Sequence, residues 1–319
     1  MRRALCVGID LYRTGALRGC VNDAERMASL LTRHEDGSPN FDSRLLRATL
    51  DGQGDKIGRA ELRRAIKDLL SQPAEVALLH FSGHGTVNDL DGYLVTQDAA
   101  MYDEGLAMSE VLKMANDSKT EEVAILLDCC YAGNLGNPPV VNNARTMLRE
   151  GVSILTASRG DQASVETSGG GLFTSLVADA LEGAAADLLG NVSASAIYAF
   201  VEAALGAWDQ RPLFKAHVSK VIPLRRCKPP VDTRILRELP KLFPVPAEDL
   251  MLDPSHEPKS AKPNPANVAK FETLQALSRV HLVVPVEVQH MYDAAMQSKS
   301  CRLTASGRYY WRLAKDNRI

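Results

Sequence analysis

Apolar runs and amphipathic stretches alternate along the first two thirds of the chain. Residues 4–9, 76–81, 123–127 and 152–157 are apolar at nearly every position. Short runs without period-two alternation suit strands buried on both faces of a parallel sheet. Residues 45–50 read as a further strand, and Asp91-Gly92 as a turn into a short strand over 93–95. Met27, Leu30 and Leu31, then Leu62, Ile66, Leu69 and Leu70, fall at helical spacing and predict helices over 23–31 and 57–70. Further helices are expected over 108–114, 172–181 and 194–205, and a last strand over 217–222. Strands alternating with helices predict an α/β fold with helices on both faces of the sheet. Open sheets of this kind place their sites beyond the carboxyl ends of the strands.

The pattern changes after residue 222. Ten of the sixteen prolines lie in 223–267. Proline removes backbone donors and interrupts regular elements, so 223–267 reads as a linker with one short helix near Ile235. Periodicity returns in 268–319, where Val268, Phe271, Leu274 and Leu277 share a helical face and an aromatic helix follows Gly307. This arrangement resembles a small winged-helix module. Its eight basic and four acidic side chains are too sparse for a DNA-binding patch, so a protein-interaction role is expected and nucleic acid is not.

Composition adds limits rather than a function. The chain of 319 residues is 45% hydrophobic and 24% charged, with net charge −2. That is ordinary globular composition, with no overall drive toward nucleic acid or anionic lipid. No apolar run reaches the roughly 18 residues of a membrane span, and the N-terminus reads as a strand rather than a signal peptide. Six cysteines without regular spacing and without a C-x-x-C pair argue against a disulfide framework or a thiolate zinc site. A cytoplasmic location is expected, with no membrane contact.

Two of the expected strand ends carry reactive side chains. His84 sits between Gly83 and Gly85 after one run, and Cys129-Cys130 follows Asp128 after the next. A thiol and an imidazole on one sheet edge can form a dyad. The histidine raises the thiolate fraction and later protonates the leaving amine. Backbone amides at Gly85 and Cys130 could supply an oxyanion hole.

The blocks Phe81-Ser82-Gly83-His84-Gly85 and Asp128-Cys129-Cys130-Tyr131-Ala132-Gly133 resemble the two catalytic motifs of caspase-like cysteine peptidases, in their metacaspase and paracaspase branch. Gly8-Ile9, the segment 17–24, Thr156-Ala157-Ser158, Leu172-Phe173-Thr174 and Gln210-Arg211-Pro212 extend the resemblance over about residues 3–222. The resemblance implies a mainly parallel six-stranded sheet sandwiched by helices, as a peptidase domain over 1–222. It implies His84 as general base and acid, and Cys130 as nucleophile, with Cys129 in the variable slot. It further implies an anionic S1 pocket built from Asp23, Asp128 and a third acid, Glu166 or Asp161, and hence cleavage of protein substrates after Arg or Lys. Arg18 dissents, because it lies where caspases place an S1 arginine. No cofactor or metal is expected, and calcium dependence stays open. An unrestrained arginine-directed protease would be toxic, so latency until activation is expected, and the Gly-, Asn- and Pro-rich segment 133–151 offers Arg145 or Arg149 as the cut. An activating partner is expected to act through 268–319, and the resemblance implies a setting in cell suicide or antiviral defence.

Overall fold

The computed structural model describes residues 1–13, 15–100, 103–129, 148–157, 166–167, 170–205 and 212–319. They form two compact units, Met1–Lys228 and Pro229–Ile319.

In chain order the first unit contains β1 (Arg2–Ile9), α1 (Cys20–Thr32), β2 (Asp42–Ala48), α2 (Arg59–Ser71), β3 (Val76–Ser82), β4 (Gly85–Val87), β5 (Gly92–Ala100), β6 (Asp103–Ala107), α3 (Met108–Asp117) and β7 (Glu122–Asp128). It continues with β8 (Val152–Thr156), β9 (Glu166–Thr167), β10 (Gly170–Gly171), α4 (Leu172–Asp179), β11 (Asn191–Val192), α5 (Ala194–Leu205), β12 (Leu213–His217) and β13 (Arg225–Arg226). Among the described residues the central sheet has six strands in the order β12-β8-β7-β3-β1-β2. All neighbours pair in parallel except the edge strand β12, which runs antiparallel to β8. The expected last strand over 217–222 is therefore corrected to Leu213–His217, since it is this run that completes the β8 ladder.

Every residue of β3, β7 and β8 is buried, as the continuous apolar runs require. Alternate side chains divide the core in two. Leu5, Val7 and Ile9 pack with Leu62 and Ile66 of α2 and Val111 of α3. Ala4 and Cys6 pack with Met27 of α1, Phe173 and Val177 of α4, and Ile197 of α5. Helices thus cover both faces, and the carboxyl ends of β1, β3 and β7 open on one edge. The hairpin β4–β5–β6 forms its own antiparallel sheet directly after β3.

The second unit contains α6 (Thr233–Leu236), α7 (Leu239–Leu242), β14 (Leu250–Met251), α8 (Pro265–Arg279), β15 (Val283–Pro285), α9 (Met291–Met296), β16 (Ser300–Leu303) and α10 (Ala305–Lys315), with an antiparallel sheet β14-β16-β15. The expected linker is a correction here, because 229–267 is part of this unit. Val231, Leu236, Leu239, Phe243 and Leu252 are buried, and Trp311 Nε1 donates to the Phe243 carbonyl at 2.7 Å. Three of the prolines open helical turns: Pro240 in α7, Pro254 in a short 3-10 turn and Pro265 in α8. Their missing N–H is not needed there.

Candidate active site

The strand ends that the fold brings together carry an imidazole and a nest of buried acids. Ser82 and Asp128 are register partners at the ends of β3 and β7, and the Gly83 amide donates to the Asp128 carbonyl at 3.2 Å. His84 follows Ser82 by two residues, as Cys130 follows Asp128 by two. Cys130 itself lies outside the described residues, as do Asp161 and Arg145. Cys129 is described, and it is 1% exposed in the core beside α2 and α3.

His84 is held at several points. Its amide donates to the Tyr12 hydroxyl at 2.9 Å, and its carbonyl accepts from the Val95 amide at 3.0 Å. Its Nε2 lies 2.7 Å from the Gly15 carbonyl. A carbonyl only accepts, so Nε2 carries the proton and Nδ1 is the nitrogen left for proton transfer. The Val95–His84 bond also makes Gly85 and Leu94 a pair that exchanges no ladder bonds, which directs the Gly85 N–H away from β5.

Asp10, Asp23 and Asp128 are all buried on this edge. Asp10 closes β1 and caps α1 from a distance, accepting from the Gly19 and Cys20 amides at 3.2 and 2.9 Å. Those amides open a helix whose N-cap, Gly19, has no side chain to serve them. Asp23, in the first turn of α1, accepts from Ser82 Oγ at 2.8 Å and the Gly171 amide at 3.0 Å on Oδ2. Asp128 Oδ2 accepts from the Thr174 amide at 3.0 Å and hydroxyl at 2.8 Å, at the start of α4. Burial, with the charges of Asp128 and Asp10, pushes the Asp23 carboxyl up to about 7, against the opposing hydrogen bonds from Gly171 and Ser82. Two glycines make this packing possible. A Cβ on Gly170 would stand 2.4 Å from Asp23 Oδ1, and one on Gly171 would stand 2.0 Å from Asp128 Oδ2.

Behind the acids lies His80, fully buried. Its Nε2 is 3.1 Å from Thr174 Oγ, whose own proton goes to Asp128. His80 therefore donates, and burial holds its pKa down at about 3. Among the described residues no group of His, Cys, Asp and Glu is arranged to hold a metal ion.

A family model described as the caspase domain matches residues 1–223. The chain belongs to the caspase-domain family. Metacaspase-6 of Arabidopsis thaliana is 32% identical over 147 residues, 42% of this chain and 39% of that protein. Metacaspase-1A of Aspergillus oryzae is 26% identical over 201 residues, 54% of this chain and 46% of that protein. The chain thus spans less than half the length of these curated relatives. Caspase-1 from Spodoptera frugiperda superposes with a TM-score of 0.50 at 12% identity, over 71% of this chain and 90% of that one, and shows the fold. The mainly parallel sheet between two helical layers is thus the caspase fold.

In this caspase domain the expected acids Asp23 and Asp128 come together through the hairpin β9–β10 and the start of α4. Glu166 is the register partner of Gly171 in that hairpin. Arg18 is exposed. Arg149 is half-buried, and its guanidinium is engaged by backbone carbonyls. Ser82, Thr174, Asp10, Tyr12 and Gly15 also stand at this edge; Ser82 and Thr174 lie inside the quoted blocks with no role read for them, and no motif marked Asp10, Tyr12 or Gly15. The adjacent glycines 170 and 171, just before a helix, are the signal that could have revealed the close approach to two carboxylates.

Proposed function

We propose that this chain is a cysteine endopeptidase that cuts proteins after arginine or lysine through Cys130 and His84. The observation that carries the reading is the buried acid pair Asp23 and Asp128, with Asp23 pushed up to about 7 by burial and by the neighbouring acids. A guanidinium forms bidentate, charge-assisted bonds to carboxylates, and its charge offsets the cost of burying two of them side by side. The P1 arginine supplies that charge at the sheet edge where His84 is held. The Cys130 thiol gives its proton to His84 Nδ1, and the thiolate attacks the scissile carbonyl. The Gly85 and Cys130 amides receive the oxyanion. His84 then protonates the leaving amine, and water releases the acyl group by the reverse proton path. Burial of Cys129 supports Cys130 as the nucleophile.

The protease is latent until a signal completes its loops, acts in the cytoplasm, and serves regulated self-killing or antiviral defence. The second unit recruits an activating protein, consistent with the exposed row Arg308, Tyr309, Arg312 and Lys315 on α10. No helix among the described residues is long and apolar enough to cross a membrane. The deciding experiment is covalent labelling with a peptidyl-arginine chloromethylketone. Modification of Cys130, lost in His84→Ala, is expected. Faster labelling by the matching aspartyl reagent would reverse the P1 assignment, and no labelling by either of a chain already cut at its activation site would make the chain a scaffold.

A further inference from the structure

We propose that Tyr12 is a positioning residue for catalysis, fixing the backbone and ring of His84; the inference rests on His84 acting as general base. Tyr12 lies just beyond β1 and is 8% exposed. Its hydroxyl accepts the His84 amide hydrogen at 2.9 Å, and its ring centroid lies 4.7 Å from that of the imidazole at an interplanar angle of 53°. One side chain therefore holds the histidine by its backbone and walls its ring.

The surrounding sequence is shaped to this contact. A Cβ on Gly83 would stand 2.4 Å from the Tyr12 hydroxyl and 3.1 Å from the Phe81 ring, so the close approach needs glycine there. Three residues after Tyr12, the Gly15 carbonyl takes the His84 Nε2 proton. The same loop thus sets the tautomer and holds the peptide plane. If the His84 amide lost its acceptor, the Gly83–His84 peptide could turn and shift the imidazole, while the next peptide, which carries the Gly85 N–H, is held separately by the Val95 amide donating to the His84 carbonyl. Burial raises the Tyr12 phenol well above its ordinary value, so it stays a neutral hydroxyl wherever the enzyme works.

The contact predicts a graded response. Tyr12→Phe keeps the ring and removes the acceptor; Tyr12→Leu removes both. Leaving a half-buried amide unpaired should lower kcat on an arginyl peptide on the order of tenfold, with KM within about twofold, since Tyr12 does not line the acid pocket. Tyr12→Leu should fall further. A second readout does not depend on P1 choice. The rate of iodoacetamide alkylation of Cys130, followed by peptide mass spectrometry against pH, reports the thiolate held by His84. In Tyr12→Phe its midpoint should move up toward the ordinary thiol value of about 8.5. A merely structural role would lower the folded fraction and leave kcat per titrated thiol and the alkylation midpoint unmoved; that result overturns the proposal. If wild-type alkylation already matches His84→Ala, the dyad itself fails, and the Tyr12 role falls with it. If alkylation depends on His84 while arginyl peptides are not cut, only the P1 reading is lost, and the alkylation midpoint still decides for or against Tyr12.

Discussion

The Gly171 amide donates to Asp23 Oδ2 across 148 positions of sequence. This bond joins the first turn of α1 to the hairpin ahead of α4, and it brings Gly171 against the second acid. A methyl group at that position would stand 2.0 Å from Asp128 Oδ2, so the hairpin must withdraw. Gly171→Ala should therefore raise KM for arginyl peptides more than tenfold while Cys130 alkylation by iodoacetamide stays as in the wild type. Equal loss in both assays would show that the hairpin supports the dyad and not the acid pocket.

Asp23 predicts two opposite consequences of one shifted group. Half-protonated near pH 7 in the free enzyme, it binds a guanidinium better as pH rises. The rate kcat/KM for arginyl peptides should climb through about pH 7, on a limb absent from Cys130 alkylation and from Asp23→Asn. Stability runs the other way. The folded state holds a proton that the unfolded chain has released above about pH 4, so stability falls as pH rises toward 7. Asp23→Asn should then be more stable than the wild type at pH 8, on the order of 2 kcal/mol, with the gap closing toward pH 4. A variant less stable at pH 8 in urea denaturation would contradict the assignment of the strain to this carboxyl.

His80 has the reverse linkage. Its folded pKa is down at about 3, so the unfolded chain takes up a proton below about 6.5 that the folded state refuses. That share of stability is present above pH 6.5 and is lost as pH falls. His80→Gln keeps a donor for Thr174 without the titration. Its stability between pH 4 and 6 should lose a slope of one proton, about 1.4 kcal/mol per pH unit. An unchanged slope would mean the buried ring does not set the acid limit.

The contrast between what the sequence disclosed and what it hid follows interaction range. The runs over 76–81 and 123–127 could be assigned because burial on both faces writes itself into every residue of β3 and β7. His84 stood out because glycines flank a reactive group. Helix α1 begins at Cys20 and not at Asp23 because the carboxylate that serves its first amides, Asp10, lies just after β1, outside any local capping pattern. Residues 229–267 looked like a linker because their proline content is local, whereas the Phe243 carbonyl meets Trp311 68 positions later. Tyr12 was missed for a similar reason. It acts on a backbone amide, and no residue type advertises that.

Processing after the nucleophile is the remaining test, and the structure describes one of the two arginines offered for it, Arg149. The Arg149 amide donates to Asn116 Oδ1 at 3.0 Å, and its Nε and Nη2 donate to the Ala115 and Thr120 carbonyls at 3.1 and 2.7 Å. To serve as P1, that guanidinium must leave these carbonyls and enter an acid pocket at the opposite ends of the strands, since Arg149 sits just before the start of β8. Several charge-assisted bonds would break first. Arg145 lies outside the described residues. We therefore expect activation to cut after Arg145. Arg145→Ala should remain a single chain with low activity, whereas Arg149→Ala should still be cut but unfold more easily, by about 1–3 kcal/mol. Peptide mass spectrometry of the activated enzyme, with thermal unfolding of both variants, checks this. A new C-terminus at Arg149, or full activity in an uncut chain, would sink it.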